Sequence, residues 1–589
     1  MANLLKTTCY SKRSKQISKS IILLGLLTVI LLCYEAKAQF DGGTGEPENP
    51  YRIATAEQLI SIGSDPNLLD KHFVLVNDID LDPNLPGGQI FTQAVIAPRV
   101  GEIPYPKVSA FNGSFNGNGY RIKHLTIRGG TRHMLGLFGK TGEEAQILNL
   151  GLENVSIKVD GSSCVGALSG LNHGYISHCS SNGKISSINR SGILGGLVGD
   201  NHGGSITKCY ADCEISGEQG DIIKSDYLGG IVGMNWFFGR ISNCYASGAV
   251  TGDHMVGGLV GSNLQANISN CYAIGNVSGS SSVGGLAGYN GQYSIIINCF
   301  AIGHISTVSE SDGVGGFVGG NGEKAIITGC FWDIEKSSVQ ISEGGKGLTT
   351  AEMMDIQTYL AAGWDFIDEL ANGTVGLWQM PGSTGYPQLT VFSDLYRPPT
   401  LTGNGTPEYP YRIATAEDLG AVCHNNPSAC YRLMADIDLS GITWTSAPVW
   451  YFDGRFDGNG CVVSNMTING GGHLGLFGIL DKHATVKNLG VANANIVGRE
   501  YGSYFGVLAA RNRGDINGCY ATGTICGQKN SIFIGGLVGS NTGTLSNCYT
   551  NGSVSGGHTI GGLAGYSYEG MFTNCYTTNN VAGKVEGLD

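Results

Sequence analysis

The feature that most constrains the fold is a glycine-rich motif that returns along the chain at nearly regular intervals. It reads GGLVGSN at 257–263 and recurs as GGLVGDN at 195–201, GGIVGMN at 229–235, GGLAGYN at 284–290 and GGLVGSN at 535–541. A segment of the type ISNCYA follows each copy, as at 268–273. A fixed period of this kind indicates stacked units, none of which buries a core alone.

The cysteine of the second segment marks the length of one repeat. Intervals of 27–35 residues separate its copies within two groups, which are Cys179, Cys209, Cys244, Cys271, Cys299 and Cys330, then Cys519, Cys548 and Cys575. About thirty residues accommodate three short strands and three turns, here GGLVG, the cysteine segment and the strand around Val277. Pairing with the same strand of the next repeat predicts an all-β fold, a right-handed parallel β-helix.

The pattern also predicts which side chains line the interior. We expect Leu259, Ile268, Cys271, Ala273, Val277 and their equivalents to point inward. In-register cysteines on strands about 4.8 Å apart are too far apart for the Cβ separation of a disulfide, so we predict buried thiols. A recurrent asparagine, Asn270 in this repeat, indicates a bend and a ladder of side-chain amides. Cys423 and Cys430 lie outside the repeats and are a candidate disulfide.

The chain is an internal duplication with the same order of segments in both halves. PYRIATAEQL at 50–59 returns as PYRIATAEDL at 410–419, and FNGSFNGNG at 111–119 returns as FDGRFDGNG at 452–460. Helix-capping pairs, Thr55 with Gln58 and Thr415 with Asp418, predict a short helix at the start of each half. The predicted divisions are a signal peptide at 1–38, an N-terminal cap at 39–110, a first β-helix at 111–334, a C-terminal cap and linker at 335–395, a second N-terminal cap at 400–451 and a second, incomplete β-helix at 452–589.

The N-terminus has the parts of a secretory signal peptide. A basic stretch within residues 6–19 precedes a 13-residue apolar run at 21–33, which is too short to span a membrane. Ala36-Lys37-Ala38 matches a cleavage site, so we expect the mature chain to begin at Gln39, after Ala38. The mature chain would be secreted or displayed at the cell surface, and no later apolar run is long enough for a membrane span.

The net charge of the mature chain limits the classes of partner that it can bind. Without residues 1–38 the chain keeps 29 basic and 46 acidic residues, a net charge of −17. Such a chain lacks the basic patch that nucleic-acid binding requires, so we exclude nucleic acid as a partner. The candidate partners are surface glycans or other cell-surface proteins.

The glycine motif followed by the NCYA-type strand resembles the GLUG motif family over roughly 133–334 and 473–589. Repeats of that family occur in exported bacterial surface proteins, including adhesin-like proteins and non-catalytic parts of some immunoglobulin A proteases. The resemblance implies a bacterial surface or extracellular repeat protein, and it brings no catalytic residues. We therefore predict a non-enzymatic adhesion-type protein that binds through an extended surface.

The alternative is a β-helix that binds or cleaves carbohydrate, because lyases and glycosidases use this fold. Glycoside hydrolysis needs two carboxylates about 5–9.5 Å apart, and the sequence has no adjacent aspartates. Asp78, Asp80 and Asp82 lack the glycine and glutamate of a calcium loop, and no HExxH motif occurs. We predict no catalytic residue, metal site or cofactor; carboxylates clustered in one groove would favour the alternative.

The residue after the repeated cysteine is aromatic. Alternation along the strand predicts that these rings point outward and stack in a stripe. The rings either bind sugars or only stabilise neighbouring repeats. Phe300 and Phe331 continue the first stripe, and the candidate ligand-binding residues are Tyr210, Tyr245, Tyr272, Tyr520, Tyr549 and Tyr576.

Overall fold

The structure is a computed structural model. It describes residues 40–583 except 101–106, 162–163, 189–191, 218–226, 308–311, 370, 383–384 and 394–399. The predicted signal cleavage between Ala38 and Gln39 lies outside the described residues.

The chain forms two parallel β-solenoids with about 15 coils in all. Each strand pairs in parallel with the equivalent strand of the next coil, as in Ile241 with Ile268 and Tyr245 with Tyr272. The all-β parallel β-helix predicted from the repeat is therefore confirmed. The inward positions are confirmed as well, because Leu259, Ile268, Cys271, Ala273 and Val277 are at most 1% exposed.

One coil contains more strands than the sequence predicted. The segment that we expected to form one strand divides into His254–Gly257 and Val260–Leu264. A Cβ added to Gly257 would lie 2.0 Å from the Val260 carbonyl oxygen, so the chain turns there at a corner that only glycine fits. The coil continues through Asn267–Ser269, Tyr272–Ala273 and Val277–Gly279.

Four sheets make up the first solenoid, and each takes its name from a recurrent residue. The isoleucine sheet contains Tyr51–Ile53, Phe73–Leu75, Ser114–Asn116, Gln146–Leu148, Tyr175–Ser177, Ser205–Thr207, Arg240–Ser242, Asn267–Ser269, Ile295–Ile297 and Ile326–Thr328. The tyrosine sheet contains Ile79–Asp80, Arg121–Lys123, Thr126–Gly130, Gly151–Asp160, Ser180–Ile188, Tyr210–Gly217, Tyr245–Ala246, Val250–Thr251, Tyr272–Ala273, Val277–Gly279, Phe300–Ala301, Ile305–Thr307, Phe331–Asp333 and Lys346–Leu348. The glycine sheet contains Val165–Gly166, Ile193–Gly195, Tyr227–Gly229, His254–Gly257, Ser281–Gly284 and Val314–Gly315. The asparagine sheet contains Phe138–Thr141, Ser169–Asn172, Val198–His202, Val232–Trp236, Val260–Leu264, Ala287–Asn290 and Val318–Asn321.

Three sheets make up the second solenoid, because longer strands join its tyrosine and glycine sheets. Its isoleucine sheet contains Tyr411–Ile413, Cys430–Leu433, Arg455–Asp457, Thr485–Lys487, Asp515–Asn517, Thr544–Ser546 and Met571–Thr573. Its joined tyrosine sheet contains Ile437–Asp438, Thr443–Trp444, Val462–Ser464, Thr467–Leu474, Gly490–Gly506, Tyr520–Gly527, Ile532–Gly535, Tyr549–Gly556, His558–Gly561, Tyr576–Thr577 and Asn580–Gly583. Its asparagine sheet contains Val449–Phe452, Phe477–Leu480, Ala509–Asn512, Val538–Asn541 and Ala564–Ser567.

Helices and antiparallel strand pairs are short and few among the described residues. The helices are Ala56–Ser64, Ile334–Ser337, Thr350–Met353, Ile356–Leu360 and Ala416–Ala421, with 3₁₀ turns at Pro66–Leu68, Thr390–Phe392 and Val422–His424. The antiparallel pairs are Arg99–Val100 with Lys107–Val108 and Trp378–Gln379 with Gln388–Leu389. Both capping boxes predicted for the helices that open each half are confirmed, Thr55 with Gln58 and Thr415 with Asp418.

The repeated cysteines are free thiols inside the solenoids. Each donates to the carbonyl oxygen two residues earlier, as Cys244 Sγ does to Ser242 O at 3.1 Å. Burial raises the pKa of the Cys209 and Cys244 thiols, so they stay protonated and fill the core as small apolar groups.

The structure contains two amide ladders, and the sequence suggested one of them. The left-handed φ of Asn270, 50°, makes the predicted bend between the isoleucine and tyrosine sheets, and at the same position of the second solenoid Asn574 Nδ2 donates to Asn547 Oδ1 at 3.2 Å. The longer ladder runs through the last residue of the GGLVGSN motif, where Asn263 Nδ2 donates to Asn290 Oδ1 at 2.9 Å. Asn235 donates in turn to Asn263 at 2.9 Å, and the ladder also includes Asn172, Asn201 and Asn321.

A segment with its own aromatic core follows the first solenoid. Residues 349–392, here the aromatic strap, pack Trp364, Trp378 and Tyr359 against the outer face of the tyrosine sheet, and all three are 0% exposed. Trp364 Nε1 donates to Gly329 O at 2.9 Å, and Tyr386 OH donates to Asp333 Oδ2 at 2.6 Å. The strap thus covers the side of the solenoid, while residues 341–348 cover its last coil.

We expect Asn263→Leu to lower the free energy of unfolding by about 1–3 kcal/mol, the usual cost of one buried polar group left unpaired. The substitution leaves Asn290 Oδ1 without its donor, while Ala266 O keeps the hydrogen bond from the Ile295 backbone. Denaturant unfolding measures the change. The matched control, exposed Asn551→Leu, should shift stability by less than about 0.5 kcal/mol; equal effects would mean that the ladder contributes no stability.

We expect Trp378→Ala to release the strap without unfolding the first solenoid. Truncating a buried tryptophan typically costs about 3–5 kcal/mol, and here the loss falls on a cluster outside the interior core of the coils. Hydrogen exchange should then show faster exchange over residues 349–392 and unchanged protection in the coils. A global loss of protection, or none, would contradict this local role; exposed Tyr409→Ala is the control.

Candidate functional site

The rings that follow the repeated cysteines form a stack on the first solenoid. Tyr210 and Tyr245 lie 5.1 Å apart between ring centroids with planes 5° apart, and Tyr245 and Tyr272 lie 4.9 Å apart at 3°. Phe300 continues the stack 5.0 Å from Tyr272. In-register parallel pairing fixes this geometry, since it places the same position of each coil directly above the last.

The aromatic strap covers this first ladder. Phe392 meets Tyr210 at 5.5 Å and Tyr245 at 4.9 Å, with planes 83° and 79° apart. Trp378 lies 6.1 Å from Tyr272, which keeps only 8% of its surface.

The expectation that Tyr210, Tyr245 and Tyr272 form an open ligand-binding stripe is therefore corrected. The first two are half-buried and the third is buried, because the chain supplies its own cover. The aromatic residues of the strap follow no period, and their composition alone did not show on which face they pack.

The second solenoid carries the same ladder in an open position. Tyr520 and Tyr549 are 5.1 Å apart at 9°, and Tyr549 and Tyr576 are 5.3 Å apart at 8°. Tyr576 is 58% exposed, and the other two are half-buried. Within the described ranges, the ring contacts of these tyrosines join them only to one another. Burial raises the pKa of Tyr520, so its hydroxyl remains a proton donor.

The two solenoids also contact each other through side chains that the sequence did not single out. Tyr175 and Tyr451 stack at 4.0 Å with planes 9° apart. Gln146 Nε2 donates to Tyr451 OH at 3.3 Å and to Asp453 Oδ2 at 2.9 Å. The repeat pattern of the sequence does not identify these residues, because each contacts a residue in the other half of the chain and not its counterpart in the next coil.

Cations of the first solenoid reach the second in the same region. The Arg240 guanidinium lies over the Trp450 ring at 4.5 Å from its centroid, and Lys208 Nζ donates to Cys423 O. Lys482 of the second solenoid pairs with Glu144 of the first. The outer face of the isoleucine sheet is therefore partly occupied by the second half of the chain.

A cleft of about 1490 Å³ runs along this contact and contains acidic side chains. Asp453 accepts hydrogen bonds from Gln146 and from the His483 backbone, and its side chain is 5% exposed. Burial and the nearby Asp481 raise the pKa of Asp453. Tyr451 OH donates to Asp481 Oδ2 at 2.6 Å. These carboxylates are thus held by partners that join the two solenoids.

Cys423 and Cys430, the candidate disulfide, are both free thiols. Cys423 lies in the 3₁₀ turn Val422–His424, and its Sγ donates to Pro448 O at 2.6 Å. Cys430 begins a strand that pairs with Arg455. The prediction of a bond between them is wrong, because the turn and the strand direct the two thiols to different neighbours.

Of the side chains that the structure describes, no three histidines, cysteines or acids lie together as a metal site would require. No helix in the described part of the chain has the length and apolar character needed to cross a membrane.

Comparison with known proteins gives similar proteins from two organisms. A protein named "Putative Gly-rich membrane protein" from Evansella cellulosilytica is 36% identical over 181 residues, which are 29% of this chain and 19% of the relative. Halomucin from Haloquadratum walsbyi is 25% identical over 585 residues, 82% of this chain and 6% of that protein. The chain thus spans less than a fifth of the length of each of these two relatives.

Among solved structures, a "putative immunoglobulin A1 protease" from Bacteroides ovatus is 19% identical, with a TM-score of 0.35 over 60% of this chain and 96% of that one. Similarity at this level implies no shared activity. The family model of the GLUG motif matches residues 225–251, 252–278 and 279–308. Residues 225–308 of this chain are therefore three consecutive GLUG repeats.

Proposed function

We propose that this chain is an exported bacterial surface protein of the adhesion type, without enzymatic activity, that binds a partner along the second solenoid. The observation that carries the proposal is the open ladder of Tyr520, Tyr549 and Tyr576, beside an equivalent ladder that the chain covers itself. A rigid solenoid holds such a row without loss of side-chain freedom on binding, which favours affinity.

The location outside the cell rests on two observations. The N-terminal sequence has the charge and apolar pattern of a signal peptide. The similar protein from Evansella cellulosilytica is named a membrane protein, which is consistent with the cell surface. The candidate partners are surface glycans and other cell-surface proteins.

The alternative function, carbohydrate binding or cleavage, has its best candidate in the cleft between the solenoids. Its lining includes the acids Glu48, Asp70, Glu144, Asp453 and Asp515, so several carboxylates share one groove, which is the feature that favours this alternative. Hydrolysis needs one carboxyl that gives a proton to the leaving group and one free to act as base or nucleophile. Here Glu144 pairs with Lys482 and Asp453 with Gln146 and His483, so an adhesive role is favoured.

We expect replacement of the three ladder tyrosines by serine to weaken binding of the mature chain to bacterial or host cell surfaces about tenfold or more. The change removes a contact row, and tenfold corresponds to only about 1.4 kcal/mol. Flow cytometry with labelled protein measures the binding, and circular dichroism checks the fold.

The matched control replaces Tyr409 and Tyr568 by serine, since both are exposed tyrosines outside the ladder at 69% and 60% exposure. Equal binding by the ladder variant and the control would refute the role of the ladder. Depolymerisation of a polysaccharide by the mature chain, lost on Asp453→Asn, would instead support the enzymatic alternative.

A further inference from the structure

The two ring ladders of this chain have the same stacking geometry, but only the first is covered by the strap. Neighbouring ring centroids are 4.9–5.1 Å apart in the first ladder from Tyr210 to Phe300 and 5.1–5.3 Å apart in the second. Plane angles are below 10° in both. The residues of the strap that pack on the first ladder therefore indicate which side chains can pack on the second.

Stacking decides which part of each ring a partner meets. In a parallel stack at this spacing, the faces of a ring are turned towards its neighbours, and its edge is turned outward. The edge of an aromatic ring is electropositive and the face electronegative, so outward edges attract the face of another ring. A sugar packs its C–H groups on an aromatic face, and among the described rings of this ladder only the two terminal ones, Tyr520 and Tyr576, have a face without a ring neighbour. The Tyr520 ring lies against Gly490 of the preceding coil.

Phe392 of the strap follows this rule, whereas Trp364, Trp378 and Tyr386 meet Phe300 with planes 32°, 50° and 14° apart. The Phe392 ring meets the edges of Tyr210 and Tyr245 with planes 83° and 79° apart, which is edge-to-face geometry. Trp364 and Trp378 cover Phe300 at 6.4 and 6.1 Å. One polypeptide segment with aromatic residues thus covers the outward edges of several coils.

The surroundings of the second ladder suit a similar segment. The outward positions beside it include Thr524 and Asn551, which are exposed and uncharged, and Thr522. These side chains supply hydrogen-bonding groups for a peptide backbone, and Asp436, which acts electrostatically on Tyr520, is a nearby negative charge.

We infer that the ladder of Tyr520, Tyr549 and Tyr576 docks an aromatic-rich polypeptide segment of a partner protein, with edge-to-face contacts of the kind that Phe392 of the strap makes with Tyr210 and Tyr245. The inference rests on the proposed function, because it names the partner class of the same surface.

The probe is a synthetic peptide of residues 359–392 of this chain, added to the full mature chain and followed by calorimetry. The tethered strap has a high effective concentration at the first ladder, so the free peptide should find only the second. Binding should weaken at least tenfold when the three ladder tyrosines are replaced by serine. It should also weaken when Trp364, Trp378 and Phe392 of the peptide are replaced by serine.

A second variant separates ring edges from hydroxyl groups. Replacing Tyr520, Tyr549 and Tyr576 by phenylalanine should preserve peptide binding within about twofold, since Phe300 occupies the same ladder position in the first solenoid under the strap. The Tyr409→Ser and Tyr568→Ser protein should bind like the wild type.

Three results would overturn the inference. They are no binding of the peptide, equal binding by the wild type and the folded serine variant, or ladder-dependent binding of glycans on an array that the phenylalanine variant loses. If cell-surface binding still depends on the ladder while the peptide fails, the docking inference falls and the proposed adhesive function stands.

Discussion

In-register parallel pairing between successive coils is the constraint on which the rest of the structure depends. Because strands lie about 4.8 Å apart, each residue sits above its counterpart in the next coil, and one choice of side chain is repeated along the axis. Pairs such as Asn263 with Asn290 and Tyr245 with Tyr272 follow directly. The chain therefore presents ladders, and the chemistry of each surface is the chemistry of one repeated residue.

The ladders meet different demands inside and outside the solenoid. A buried amide is tolerated only when its donors and acceptor are paired, and Asn263 meets this by bonding to the asparagines above and below and to Ala266 O. The buried cysteines do not need a full set of hydrogen-bond partners, because a protonated thiol packs as a small apolar group. In an outward ring stack, the faces of the rings contact the neighbouring rings, and the edges face solvent. Whether these edges are buried depends on whether another segment, such as the strap, packs against them.

The sequence predicted those features that repeat. The period predicted the coil, and the alternation around Ile268 and Cys271 predicted the interior. It suggested the ladder that Asn547 and Asn574 form at the bend, and it missed the longer ladder through Asn263, because only the backbone shows that this residue points inward. It merged two strands because the corner after Gly257 depends on a close backbone approach. The disulfide expected between Cys423 and Cys430 failed for a similar reason, since spacing in the chain does not give the direction of a thiol.

What does not repeat could not be predicted, and it decides where a partner can bind. The strap uses aromatic residues at irregular intervals to cover the tyrosine sheet of the first solenoid. The second solenoid occupies part of the outer face of the isoleucine sheet through Tyr451 and Trp450. Two lateral faces of the first solenoid are thus engaged within the chain itself. Among the residues that the structure describes, the rings of Tyr520, Tyr549 and Tyr576 make ring contacts only with one another, so their outward edges form the aromatic surface that a partner can reach along successive coils.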